Sequence, residues 1–255
     1  MSSTVALVTG SSSGIGRALA LRLAREGYSV GLVARREDAL QAVKEEIEAG
    51  GGEARALKCD VTDPEAMHGA ARACQESLGP VDLLVANAGV SEGTDAHRLV
   101  AEDVESLMRV NFLGAVYAVE AVLPGMLERK SGHLVAVSSL AGFGGLPKTA
   151  AYAASKAALR VFFESLRLDL KDDPVDVTVI SPGYVRASKT SKYVDKRPFL
   201  VELDDAVERM YGAIAARRPS LLFPVPLSSA VWAGQALPRS LYDRLATRIG
   251  RGRRE

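Results

Sequence analysis

The stretch Val5-Ala6-Leu7-Val8-Thr9-Gly10-Ser11-Ser12-Ser13-Gly14-Ile15-Gly16 decides the fold class, because an apolar strand runs through a glycine-rich turn straight into a helix. Leu19 and Leu23 continue at helical spacing until Gly27 ends the helix predicted over 15–26. Glycines at such a junction permit a tight turn and let the backbone approach a pyrophosphate, whose charge is favoured by the amides and dipole of the helix N-terminus. The spacing is Gly-x-x-x-Gly-x-Gly rather than the more familiar Gly-x-Gly-x-x-Gly, and a lone glycine turn is also found as a plain connection.

Outward from this turn the alternation repeats. Residues 29–34 read as a second strand, and 36–49 as a helix with Leu40, Val43 and Ile47 on one face, closed by Gly50, Gly51 and Gly52. A third strand spans 53–58. Thr62 and Glu65 have capping-box spacing, with Pro64 in the first turn, which predicts a helix over 64–78 before a fourth strand over 81–86. A long helical stretch at 102–128, disturbed near Gly114, leads to a strand at 132–138, a helix at 152–170, a strand at 175–180 and a helix at 204–216. Strands alternating with amphipathic helices predict an α/β fold, a parallel sheet covered on both faces. No repeat or low-complexity linker divides the chain, so one domain over 1–255 is expected.

Composition narrows the function. With 32 Lys plus Arg against 31 Asp plus Glu, the net charge of +1 gives no global field for nucleic acid, so none is expected as a partner. Two cysteines, Cys59 and Cys74, and three scattered histidines supply neither a disulfide framework nor a structural zinc site. No metal is expected, and a reduced, cytoplasmic protein is the reading. The chain opens on a structural strand rather than a cleavable leader, and the most membrane-like segment, 221–237, is broken by Pro224 and Pro226.

The glycine turn, with Gly10, Ser12, Ser13, Gly14, Ile15 and Gly16, resembles that of the short-chain dehydrogenase/reductase family, and the likeness runs over about 4–187. The resemblance implies a single-domain doubly wound Rossmann fold with a central parallel sheet of about seven strands. In that family the end of the second strand selects between nicotinamide cofactors: an acidic residue there binds the ribose of NAD and repels the extra phosphate of NADP. Here Ala34 is followed by Arg35 and Arg36, so no carboxylate excludes that phosphate, and guanidinium groups can hold it. NADP(H) is therefore expected over NAD(H), although some NADP-using relatives carry a basic residue where this chain has Ser13. Asp60-Val61 resembles the family's adenine-contacting pair, and Asn87-Ala88-Gly89 its motif beside the cofactor.

Tyr152 and Lys156 stand four apart on a predicted helix and so share a face. A phenol is a poor acid or base at neutral pH, and a neighbouring ammonium favours the phenolate. Ser138-Ser139 ends the preceding strand, thirteen positions before Tyr152, and Asn111 lies in the long helix. This set resembles the family's catalytic tetrad, whose spacing selects Ser139 over Ser138. The resemblance implies that Ser139 bonds the substrate oxygen, Tyr152 is the general acid/base, Lys156 lowers the Tyr152 pKa and binds the nicotinamide ribose, and Asn111 holds a water for proton relay. Pro182, Gly183 and Val185 resemble the turn around the nicotinamide. The Thr often found four residues after that Gly is Ala187 here, with Ser188 next.

The expectation is an NADP(H)-dependent oxidoreductase interconverting a carbonyl and a secondary alcohol, with a small-molecule carbonyl or alcohol as its substrate. The rivals are a non-catalytic NADP(H)-binding redox sensor and a sugar-nucleotide epimerase or dehydratase on the same fold. A substrate loop over about 183–203 carries Arg186, Lys189, Lys192, Lys196 and Arg197 against Asp195, and reads as a solvated lid more readily than as an anion site. The extension over about 220–255, with Trp232, Leu237, Leu241 and Leu245 and ending in Arg248, Arg251, Arg253 and Arg254, reads as packing on its own or a neighbouring subunit. Peripheral contact with an acidic membrane is the less favoured alternative. Apolar positions such as Phe162 and Phe163 point to a homodimer or homotetramer.

Overall fold

The computed structural model describes residues 4–187 and 197–251. β1 (Val5–Thr9) passes through the glycine turn into α1 (Gly14–Arg25), and the unit repeats as β2 (Ser29–Ala34), α2 (Glu37–Ala49), β3 (Ala54–Lys58), α3 (Pro64–Leu78) and β4 (Val81–Ala86). The expected long helix is two, α4 (Ala101–Met108) and α5 (Gly114–Arg129), joined by one π turn over Arg109–Leu113. This is the disturbance anticipated near Gly114. There follow β5 (Gly132–Val137), α6 (Ala150–Asp169), β6 (Val175–Pro182), β7 (Val185–Arg186), β8 (Val201–Glu202), α7 (Leu203–Ala215), β9 (Ser220–Phe223), α8 (Val225–Gln235) and α9 (Arg239–Arg251).

The main sheet has seven parallel strands in the order β3-β2-β1-β4-β5-β6-β9. Side chains alternate between its faces with period two. Val5 and Leu7 of β1 enter the core beneath α3, α5 and α6, whereas Ala6 and Val8 enter the one beneath α1, α2 and α7. Helices on both faces explain why residues 5–8 of β1 and 30–34 of β2 run without a polar residue instead of alternating. The chain order reverses at β1, between β2 and β4, and the crevice beyond the carboxyl ends of those strands is where such sheets bind ligands.

Three expectations change. The cap of α3 is Asp63, whose carboxylate accepts from the Ala66 N–H at 3.1 Å, and not Thr62. Thr62 instead turns back, and both its N–H and its hydroxyl donate to Asp60. Within the expected loop over about 183–203, β7 and β8 pair in parallel. Within it Arg186 bonds Glu202 at 2.9 Å, and the Arg197 guanidinium lies 4.9 Å from the centre of the Tyr184 ring. Ser188, Lys189, Lys192, Asp195 and Lys196 lie outside the described residues. Finally, Ala101–Arg129 is the one described helical run long and apolar enough to cross a membrane, yet Ala118, Val119, Val122 and Met126 of it pack in the core.

Candidate active site

The glycine turn is shaped by what it leans on. Gly10 has φ +70, a region that favours glycine, and a Cβ there would lie 2.8 Å from the Ala88 Cα. At Gly16 a Cβ would meet the Gly10 carbonyl at 2.4 Å. These two glycines therefore let the turn pack against itself and against the segment after β4. Gly14, at φ +56, meets only Ala187 and faces the cleft. No side chain caps α1, so its first amides remain available to an anion.

Thr9, which sequence reading passed over, ties this end together. Its buried hydroxyl accepts from the Asn87 and Ala88 N–H groups at 3.1 and 3.0 Å, and the Asn87 amide donates to the Thr9 carbonyl at 3.0 Å. Asn87 is thus a brace between β1 and β4. Arg36 donates to the Ser12 hydroxyl at 3.0 Å, which holds its guanidinium over the glycine turn. Arg35 is 68% exposed and stands 4.0 Å from the Asp60 carboxylate. Ala34 brings no acid to this pocket.

At the other end β5 delivers two serines to different tasks. The Ser138 hydroxyl donates to the Lys156 carbonyl at 2.8 Å and pins α6 to the sheet. The Ser139 hydroxyl accepts from the Ala141 N–H at 3.1 Å, donates to the Pro182 carbonyl at 3.5 Å and lies beside Tyr152. Burial pushes the Tyr152 phenol above its ordinary range, and Ser139 pulls the other way. Lys156 is 5% exposed and donates to the Val137 carbonyl at 2.9 Å. Burial brings its ammonium down to about 8. The ammonium is thus turned to the end of β5, and burial and Ser139 are what move the Tyr152 phenol.

Asn111 stands between α4 and α5. It is fully buried in the π turn, accepting from the Val90 N–H at 2.7 Å and donating to the Ser155 hydroxyl at 2.9 Å. Ser155 in turn donates to the Tyr152 carbonyl at 2.8 Å. Asn111 and Ser155 therefore join the β4 loop to the helix bearing Tyr152. Asn111 still lies near the ammonium, since a Cβ on Gly89 would stand 3.2 Å from its Oδ1 and 3.3 Å from Lys156 Nζ.

One cleft of about 630 Å³ joins the two ends. Its lining includes Gly10, Ser12, Ser13, Gly14, Ile15, Gly16, Arg35, Arg36, Asp60, Val61, Asn87, Ala88, Gly89, Ser139, Tyr152, Lys156, Pro182, Gly183 and Val185, whereas Asn111 stands behind the wall. Cys59, Val90, Ser91 and Val110 also line it, and none carries a signal beyond its closeness to a motif. The chain's own tail packs behind this end: a Cβ on Gly183 would meet Leu227 at 2.7 Å, and the rings of Phe143 and Trp232 lie 6.0 Å apart.

The comparisons agree with this geometry. The short chain dehydrogenase family model matches residues 4–198. An uncharacterized oxidoreductase of Myxococcus xanthus (strain DK1622) is 46% identical over 249 residues, which is 98% of each chain. Among solved structures, a short-chain dehydrogenase/reductase from Burkholderia phymatum in complex with NAD superposes with a TM-score of 0.83, at 27% identity over 90% of this chain and 92% of that one. A metagenomic short-chain oxidoreductase in complex with NADP gives 0.76 at 34% identity, over 88% and 97%. With its parallel sheet, its glycine turn and a cleft running from Arg36 to Tyr152, the chain belongs to the short-chain dehydrogenase/reductase family of oxidoreductases.

Proposed function

We propose that the chain interconverts a carbonyl compound and a secondary alcohol using NADP(H), with Tyr152 as the general acid/base. The observation that carries this reading is the meeting of Ser139, Tyr152 and Lys156 in the same cleft as Arg35 and Arg36, with no carboxylate at the end of β2. The related structures hold NAD in one case and NADP in another, so a nicotinamide cofactor is supported and the preference rests on Ala34, Arg35 and Arg36. A Cβ-free path at Gly14 and the uncapped first turn of α1 suit the pyrophosphate. Arg36, already bonded to Ser12, and the exposed Arg35 suit a ribose phosphate by charge-assisted bonds.

When bound, the nicotinamide supplies or accepts the hydride at the carbonyl carbon. In reduction Tyr152 gives its hydroxyl proton to the carbonyl oxygen, and in oxidation it takes the alcohol proton back. Burial keeps the phenol protonated at neutral pH, the form that reduction requires. Ser139 donates to the same oxygen and holds it beside Tyr152. Lys156 uses one of its N–H groups on Val137, which leaves two for the cofactor ribose and for returning a proton to Tyr152. Asn111 acts through Ser155 by fixing the turn of α6 that presents Tyr152. A redox sensor would need none of these groups.

A panel of carbonyls and alcohols followed through NADPH and NADH absorbance tests the reading. Turnover is expected with NADPH preferred. Ala34→Asp with Arg35→Ser should move the kcat/KM ratio toward NADH by about a hundredfold, the worth of one or two charged hydrogen bonds. An unchanged ratio would refute the phosphate pocket. NADPH binding with no turnover across the panel would favour the sensor.

A further inference from the structure

The final helix has a face that the fold does not use. α9 rests on the chain through Tyr242, whose hydroxyl donates to the Gly145 carbonyl at 2.8 Å, and through Ala246, which is 7% exposed. These residues are four apart and share one side of the helix. On the adjacent shoulder Leu241 and Leu245, also four apart, remain 42% and 44% exposed. Next around the helix come Arg244 and Arg248, both exposed. The order round α9 is thus packed seam, bare leucine pair, arginine pair. Among the described residues no salt bridge engages Arg239, Arg244 or Arg248, and Asp243 is the sole acid in α9. In sequence the same end continues with Arg251, Arg253 and Arg254 against Glu255.

We propose that this face of α9 docks on an anionic phospholipid bilayer, with Leu241 and Leu245 entering the interfacial zone while Arg244 and Arg248 bind the lipid phosphates. An apolar pair edged by cations is what a helix lying in a membrane interface presents. Arginine suits the edge because its stem lies along apolar surface while its guanidinium reaches a phosphate with paired donors. A second copy fits less well. A two-fold contact through this face would set Arg244 and Arg248 against the same residues of the partner. The net charge of +1 supplies no attraction from the whole molecule, so the local cations must do so. Two surface arginines are worth about thirtyfold in partitioning onto such a bilayer, which makes the binding reversible and sensitive to salt.

The test is co-sedimentation of the full chain with vesicles of phosphatidylcholine alone, and with vesicles containing about one quarter phosphatidylserine. Binding is expected only with phosphatidylserine present and is lost on raising the salt. Leu241→Gln with Leu245→Gln should weaken it about tenfold. Arg244→Glu with Arg248→Glu should abolish it. Both pairs are surface positions, so thermal unfolding should be unchanged, and turnover of a soluble carbonyl should match wild type; failure here thus stays distinct from failure of the active-site reading. Wild-type protein that ignores phosphatidylserine vesicles, or binding that survives both pairs of substitutions, overturns the proposal. So does a wild-type oligomer in analytical ultracentrifugation that the leucine pair of substitutions converts to monomer, since a second copy would then be the occupant.

Discussion

The two ends of β5 hold buried ionisable groups in opposite ways. At the amino end, His133 is 4% exposed and shares a 2.7 Å hydrogen bond with the Thr178 hydroxyl, which donates to the Arg218 carbonyl at 2.7 Å. Because the Thr178 proton is committed to Arg218, His133 must be the donor in that bond, so its Nε2 carries a proton. Burial, helped by Arg217, brings its pKa down to about 4. At the carboxyl end, Lys156 has one bond, to Val137, and two donors to spare. A closed polar network at one edge is structural, whereas an incompletely satisfied group at the other edge is poised for a ligand. Ligands of parallel sheets bind at that second edge.

Lys156→Met should break the carboxyl end most visibly. Turnover is expected to fall about a thousandfold with removal of the proton relay. Stability should change the other way. Unfolded Lys keeps its proton up to its ordinary value of 10.5 and the folded residue releases it at about 8, so the penalty is fully present below pH 8 and fades toward 10.5. Removing it should stabilise the fold at neutral pH by up to about 3 kcal/mol, measured by urea unfolding. A variant that is both inactive and less stable would contradict the assignment.

Acid tests the amino end. With a folded pKa of about 4 against an unfolded value of 6.5, His133 contributes stability that is complete above pH 6.5 and is lost as pH falls toward 4. The loss should reach about 3 kcal/mol, and His133→Gln should flatten that limb of the urea-unfolding profile. Equal slopes in wild type and variant would remove His133 from the account.

The two adjacent serines give the smallest contrast. Ser139→Ala should lower kcat about a hundredfold with unfolding unchanged. Ser138→Ala should cost about 1 kcal/mol of stability and little kcat. Reversed outcomes would mean that the wrong serine faces the substrate.

Much of this was legible because local patterns carry it. The strand-turn-helix at Val5–Gly16 and the Tyr152 to Lys156 spacing lie within one or two elements, so periodicity places them. The braces were not legible. Thr9 meets Asn87 seventy-eight positions away, and Asn111 meets Ser155 forty-four positions away. No local pattern marks a serine or threonine as the partner of a distant amide. The seventh strand of the main sheet, β9, has only four residues, and the pairing of β7 with β8 joins two-residue segments well apart in sequence, too short to show a period. The orientation of Lys156 toward Val137 is likewise a property of packing, since sequence spacing shows that two side chains share a face and not where each one turns.

The most direct test is to measure NADPH affinity and single-turnover hydride transfer in Tyr152→Phe beside wild type, on a carbonyl identified from the panel. The account predicts unchanged NADPH binding with hydride transfer slowed by at least about a thousandfold, because only the hydroxyl that protonates the carbonyl oxygen is gone. Transfer at a rate near that of wild type would contradict it.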